Sequence, residues 1–146
     1  MGEVTAIAIA AVRGDLPEPV ERVSVVAGHG IEGDYHAGVD GNVALTLIAS
    51  EALDGLHADT GLEISHADTR RNVLTRGVDL NVLVGRRFRV GGVECVGVEL
   101  CEPCNRLVKL TGERGVLRGL VHRGGLRADV VAGGEIAVGD AVTDAG

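Results

Sequence analysis

Two of the three cysteines stand three residues apart in Leu100-Cys101-Glu102-Pro103-Cys104-Asn105-Arg106. A Cys-x-x-Cys pair at a strand exit has three chemical readings: a redox pair, half of a zinc site, or a ligand site built on one thiol. Zinc needs two further ligands at suitable spacing. Cys95 and the histidines are the candidates, but the chain has no second Cys-x-x-Cys and no pair of histidines three to five residues apart. A thioredoxin-like redox pair belongs beside a βαβ pattern, which the strand-rich sequence does not offer. Cys95 lies inside the apolar run Val93 to Leu100 and reads as a small core residue. Cys104 is different. Beside Pro103 and Arg106, a nearby cation or helix N-terminus would lower its pKa and give a thiolate, either a nucleophile or a soft metal ligand.

Three other stretches carry chemistry-bearing side chains. Gly30-Ile31-Glu32-Gly33-Asp34-Tyr35-His36-Ala37-Gly38 places His36 in a glycine-rich loop, as donor, base or ligand near neutral pH. Thr69-Arg70-Arg71-Asn72-Val73-Leu74-Thr75-Arg76-Gly77-Val78-Asp79-Leu80 puts an Arg-x-Asn at a strand start, where a guanidinium fork and an amide could face an anionic heteroaromatic ligand. His122-Arg123-Gly124-Gly125-Leu126-Arg127 could form an anion nest from backbone N–H groups, flanked by Arg123 and Arg127. Each also has an ordinary structural reading, as a surface turn or a solvated basic edge.

The elements that must hold these residues are mostly strands. The 146-residue chain has 23 glycines, one Phe, one Tyr and no Trp, so Val, Ala, Leu and Ile must fill the core. That length suits one domain, residues 1–146. Expected strands cover Val4 to Val12, Glu21 to Ala27, Val43 to Ala49 (buried on both faces), Asn72 to Thr75, Arg86 to Val90, Val93 to Leu100, Ala128 to Ala132 and Glu135 to Val138. Pro17 and Pro19 predict a loop, as does Gly28 to Asp34. Ser50 predicts a helix cap, with Glu51 in the first turn and Gly61 as the stop. Leu80 to Val84 reads as a short apolar turn, and Gly91-Gly92 as a hairpin. Cys104 to Leu110 and Gly115 to Val121 read as helical segments. The expected fold is mainly β, a closed or nearly closed barrel with a few short helices.

The net charge of −7 argues against a general nucleic-acid or acidic-membrane binder. There is no run of 18 apolar residues to form a membrane span. Three cysteines without a secretion signal predict reduced thiols and a cytoplasmic location.

Together the segments GIEGDYHAG, RRNVLTRGVDLNVLVGRRFRVG, LCEPC and HRGGLRADVVAGGEIAVGD resemble the MOSC family, named for the C-terminal domain of molybdenum cofactor sulfurases. The resemblance spans about Gly30 to Asp140 and implies a barrel like the one inserted in pyruvate kinase. It also implies binding of the molybdenum cofactor, molybdopterin. Cys104 matches the family's characteristic cysteine, a molybdenum ligand in some members and a proposed sulfur carrier in others. Arg70 and Asn72 match an Arg-x-Asn motif tied to cofactor binding, and His36 matches the histidine of a glycine-rich turn. Tyr35 stands where close relatives commonly carry Arg.

In this reading Arg70, Arg71, Arg123 and Arg127 neutralise the phosphate, and Asn72 pairs with the pterin edge. Three functions follow as alternatives. One is a reductase of N-hydroxylated compounds, or a sulfur-handling domain, as in relatives of similar length. The reductase would need a separate electron-donor protein, because three cysteines cannot build a four-thiolate cluster. The second is a cofactor carrier without turnover. The third is a structural zinc protein using Cys101, Cys104 and histidines. Pyridoxal phosphate belongs to the separate desulfurase domain of long sulfurases. Lys109, the only lysine, lies in an ordinary amphipathic stretch, so no Schiff base is expected.

Overall fold

The computed structural model describes residues 2–12, 15–34, 45–61, 63–101 and 124–144. In chain order its strands are β1 (Gly2–Ile9), β2 (Glu18–Val20), β3 (Arg22–Val26), β4 (Gly30–Ile31), β5 (Leu45–Ala49), β6 (Val73–Arg76), β7 (Arg87–Val90), β8 (Val93–Leu100), β9 (Leu126–Ala132), β10 (Gly134–Ala137) and β11 (Ala141–Asp144). Helix α1 (Ser50–Thr60), helix α2 (His66–Thr69) and a 3-10 turn (Leu80–Leu83) complete the described elements.

Seven strands close into a barrel, in the order β1, β11, β7, β8, β9, β5, β6 and back to β1. Closure depends on β11, which pairs with β1 through Gly2↔Val142 and with β7 through Val142↔Val90. Alternation along the strands sends Phe88, Val90, Val93, Cys95, Leu45 and Leu47 inward, all fully buried. Phe88 is the largest of these side chains, so aliphatic residues fill a core that has almost no aromatics. The 3-10 turn adds Leu80 and Leu83 to the same core and packs against β5, β8 and β9.

All strand pairs in the barrel are antiparallel except β5–β6, which run parallel with Leu47↔Val73 in register. A parallel neighbour needs a crossover rather than a hairpin. Helices α1 and α2 lie in that crossover. Helix α1 packs on β5 and β6, and both its Leu56 and the outward-facing Ile48 of β5 are fully buried. The crossover therefore gives the barrel a covered outer face. A smaller sheet, in the order β10-β3-β4, flanks the barrel.

The expected β-barrel is present, and several local expectations change. Strand β1 ends at Ile9 rather than Val12. The Pro17–Pro19 stretch is not all loop, because Glu18–Val20 forms an edge strand on β1 with Pro19 opposite Ala8. An edge tolerates proline because no neighbour on the far side needs its N–H. Gly30–Ile31, expected in a loop, is a two-residue strand paired with β3. Ser50 is not the helix cap. Ala49 holds that position without a side-chain bond, and the Ser50 hydroxyl donates to Glu51 Oε1 at 3.3 Å. Gly61 stops the helix as expected, in the left-handed region at φ 75°, with its N–H bonded to the His57 carbonyl. The two helical segments expected between Cys104 and Val121 lie outside the described residues.

Candidate functional site

The Arg70-Arg71-Asn72 run leaves α2 through a tight turn. Thr69, the last residue of α2, is buried, and its hydroxyl donates to the His66 carbonyl at 2.6 Å. Arg70 then takes φ 60°, the only non-glycine residue in the left-handed region among those described. Such a backbone costs an L-residue roughly 1–2 kcal/mol and persists where surrounding bonds over-determine it. They do so here. The Arg70 N–H donates to the Ala67 carbonyl at 3.1 Å, and the Arg71 N–H donates to Thr69 Oγ1 at 3.3 Å. Arg70 Nη1 also donates to the Asp15 carbonyl.

Arg71 reaches further. Its Nη1 donates to the Thr69 carbonyl at 3.2 Å, and its Nε donates to the Gly124 carbonyl at 2.8 Å. Gly124 and Gly125 follow residues 102–123, and Cys101 precedes them. The Cys101 N–H donates to the Gly125 carbonyl at 2.8 Å. The exit and return of the segment carrying Cys104 and Arg123 are thus pinned together, and Arg71 grips the return.

Asn72 sits on the outer face of the barrel yet is buried. Its Oδ1 accepts from the Thr46 hydroxyl at 3.0 Å and the Thr46 N–H at 3.3 Å, while Nδ2 donates to the Ala8 carbonyl at 3.3 Å. The amide therefore ties β5 to β1 just ahead of β6. Thr46 stands opposite Arg127 on β9, and Arg127 stands opposite Glu99 on β8. Asn72, just ahead of β6, continues the row of Thr46 on β5 and Arg127 on β9. Arg127 Nη1 donates to Glu99 Oε1 at 2.8 Å, a partly exposed ion pair.

The glycine-rich loop is anchored to the same neighbourhood. Asp34, buried at the start of the stretch that leads to His36, accepts the Ala10 N–H at 3.0 Å. Ala10 is two residues from the Ala8 carbonyl that Asn72 holds. Of the seven residues singled out in the sequence, Arg70, Arg71, Asn72 and Arg127 are described. The first three are contiguous, and Arg127 shares the row of Asn72. His36, Cys104 and Arg123 lie outside the described residues.

His66 and Thr46 also belong to this neighbourhood and carried no signal in the sequence, while Thr69 and Asp34 lie within the singled-out stretches without a role assigned to either. Burial, the larger influence, pushes the His66 pKa below its ordinary 6.5, and a hydrogen bond with the Arg71 backbone pulls it the other way. His66 Nε2 is buried and has no hydrogen-bond partner among the described residues. Cys95 behaves as a core residue: burial first, then the nearby Glu94 charge, pushes its thiol up to about 12. Among the described residues no cluster of three or more His, Cys, Asp or Glu side chains could hold a metal ion.

A cavity of about 560 Å³ is lined by Gly125, Ala49, Glu51, Ala52 and residues 77–81. Among the described residues its charged walls are Glu51 and Asp79. Burial is the largest influence on Glu51 and would raise its pKa. The Gly77 N–H, the first-turn N–H, Ser50 and Arg76 together outweigh it, and the carboxyl lies below its ordinary 4.5.

A family model described as "MOSC domain" matches residues 32–143. No curated protein matches the chain in sequence. Among solved structures, the YuaD protein from Bacillus subtilis superposes with a TM-score of 0.84 at 17% identity, covering 97% of this chain and 94% of that one. YiiM from Geobacillus stearothermophilus gives a TM-score of 0.77 at 15% identity, over 100% of this chain and 76% of that one. YiiM from Escherichia coli gives 0.73 at 18% identity, over 99% and 70%. At these identities the likenesses establish the fold.

Proposed function

Because the chain belongs to the MOSC domain family, we propose that it is a single domain that binds the molybdenum cofactor against the outer face of its barrel, with Cys104 as the thiol that meets the metal. The observation that carries this reading is the Arg71 Nε bond to the Gly124 carbonyl at 2.8 Å. It joins the Arg-x-Asn turn to the return end of the segment bearing Cys104 and Arg123.

The donor set suits such a ligand. A molybdopterin offers a phosphate, a flat polar heterocycle and a soft metal head. The Nη2 end of the Arg71 fork makes no hydrogen bond among the described residues and faces the phosphate in this reading. Arg70, Arg123 and Arg127 add positive charge. His66 Nε2, buried without a partner among the described residues, is the kind of orphaned polar atom a ligand satisfies. Asn72 already spends Oδ1 and one Nδ2 hydrogen on the frame, which leaves its second Nδ2 hydrogen for a pterin edge. His36 supplies a further donor or acceptor. The bound metal would supply two-electron oxygen or sulfur chemistry, and the barrel would orient it.

The reaction proposed is reduction of an N-hydroxylated compound, with electrons from a separate donor protein. The test is turnover of an N-hydroxylated base by molybdenum-loaded protein with a supplied reductase. Turnover that disappears in Cys104→Ala supports the enzyme. Stoichiometric molybdenum without turnover for any such base assigns the chain instead as a cofactor or sulfur carrier.

A further inference from the structure

We propose that Thr69 is a positioning residue that sets how the Arg71 guanidinium grips the segment bearing Cys104. Nothing in the motif Arg70-x-Asn72 marks it, since it precedes the motif and is buried. Its hydroxyl acts in both directions, donating to the His66 carbonyl at 2.6 Å and accepting the Arg71 N–H at 3.3 Å. Its own carbonyl accepts Arg71 Nη1 at 3.2 Å. One residue thus holds Arg71 at both backbone and side chain, across the left-handed Arg70. The fork held in this way aims Nε at Gly124, whose neighbour Gly125 takes the Cys101 N–H.

These bonds are local to residues 66–71, so their loss should move the turn and the Gly124 anchor while leaving the barrel ladders intact. Valine matches threonine in shape and lacks the hydroxyl, whereas serine keeps the hydroxyl and loses a methyl. The step from Arg71 to Gly124 needs no ligand. Only the further step, to cofactor retention, rests on the function proposed above.

The experiment is hydrogen–deuterium exchange on the cofactor-free chain. Thr69→Val should speed exchange about tenfold or more in peptides covering residues 70–72 and 124–126, with β7 and β8 unchanged. Thr69→Ser should stay within about twofold of the native chain. Arg71→Ala should reproduce the change at 124–126, and adding Thr69→Val to it should change that peptide no further. If valine is not accommodated, Thr69→Ala takes its place with the same expectation.

Native-like exchange at 124–126 in the hydroxyl-free variant would overturn the proposal. So would a serine variant as disturbed as valine, or additive effects with Arg71→Ala. In protein loaded with molybdenum, occupancy should fall in Thr69→Val and hold in Thr69→Ser. A native chain that takes up no molybdenum would defeat the cofactor reading, while the exchange result would still decide the role of Thr69.

Discussion

Arg70 holds a strained backbone at the point where the Arg-x-Asn motif begins. Its φ of 60° suits glycine better than arginine. Arg70→Gly should therefore change unfolding stability by less than about 1 kcal/mol, because relief of strain offsets the lost bond to Asp15 and the extra chain entropy. The same variant should bind cofactor more weakly. Urea unfolding together with molybdenum analysis checks both halves, and a stability loss matched by native occupancy would contradict them. His66 makes a second prediction. Its folded pKa is lowered, so as pH falls through about 6.5 the unfolded chain takes up the proton first. Stability present above that pH is then lost as pH falls below it, and His66→Gln should flatten the decline. Urea midpoints at two pH values on either side of 6.5 test this. The motif arginines and Asn72 were legible in the sequence because guanidinium and amide groups announce their chemistry. Thr69 and His66 were not, because their importance arises from a four-residue helix that no periodicity reveals.

Strands and turns were the more legible level. The alternation of Phe88 and Val90, the Gly91-Gly92 turn and the full span of Val93–Leu100 follow from side-chain period and turn chemistry. Glu18–Val20 was hidden because two prolines mask an edge strand, and the pairing partner that permits it is distant in sequence. Ser50 misled because a good capping residue lies one position inside the helix, where β5 runs directly into α1. At the start of β9, Gly125 has φ 106°, and an added Cβ would overlap the Leu47 carbonyl oxygen. Gly125→Ala should thus cost about 2 kcal/mol or more, from backbone strain plus displacement of β5. Thermal unfolding should show a lowered midpoint, and an unchanged midpoint would mean that the two strands can part without cost.

A barrel has no free edge only while its last strand stays in place. Strand β11 is that strand here, bridging β1 and β7. A chain ended after Asp140 should lose cooperative unfolding by circular dichroism, whereas a sharp native-like transition would show that the other six barrel strands suffice. Among the described residues no helix is long and apolar enough to cross a membrane. The barrel brings together residues 24 to 26 positions apart: Asp34 and Ala10, Thr46 and Asn72, Gly125 and Cys101. That convergence could be expected from the family resemblance, but the bonds that make it could not be read from the chain. The most direct test is metal analysis of protein made in a host competent to make molybdenum cofactor. About one molybdenum per chain is predicted for the native protein, lost in Cys104→Ala and sharply reduced in Arg71→Ala. Stoichiometric zinc with no molybdenum, or molybdenum retained in full without Cys104, would contradict the account.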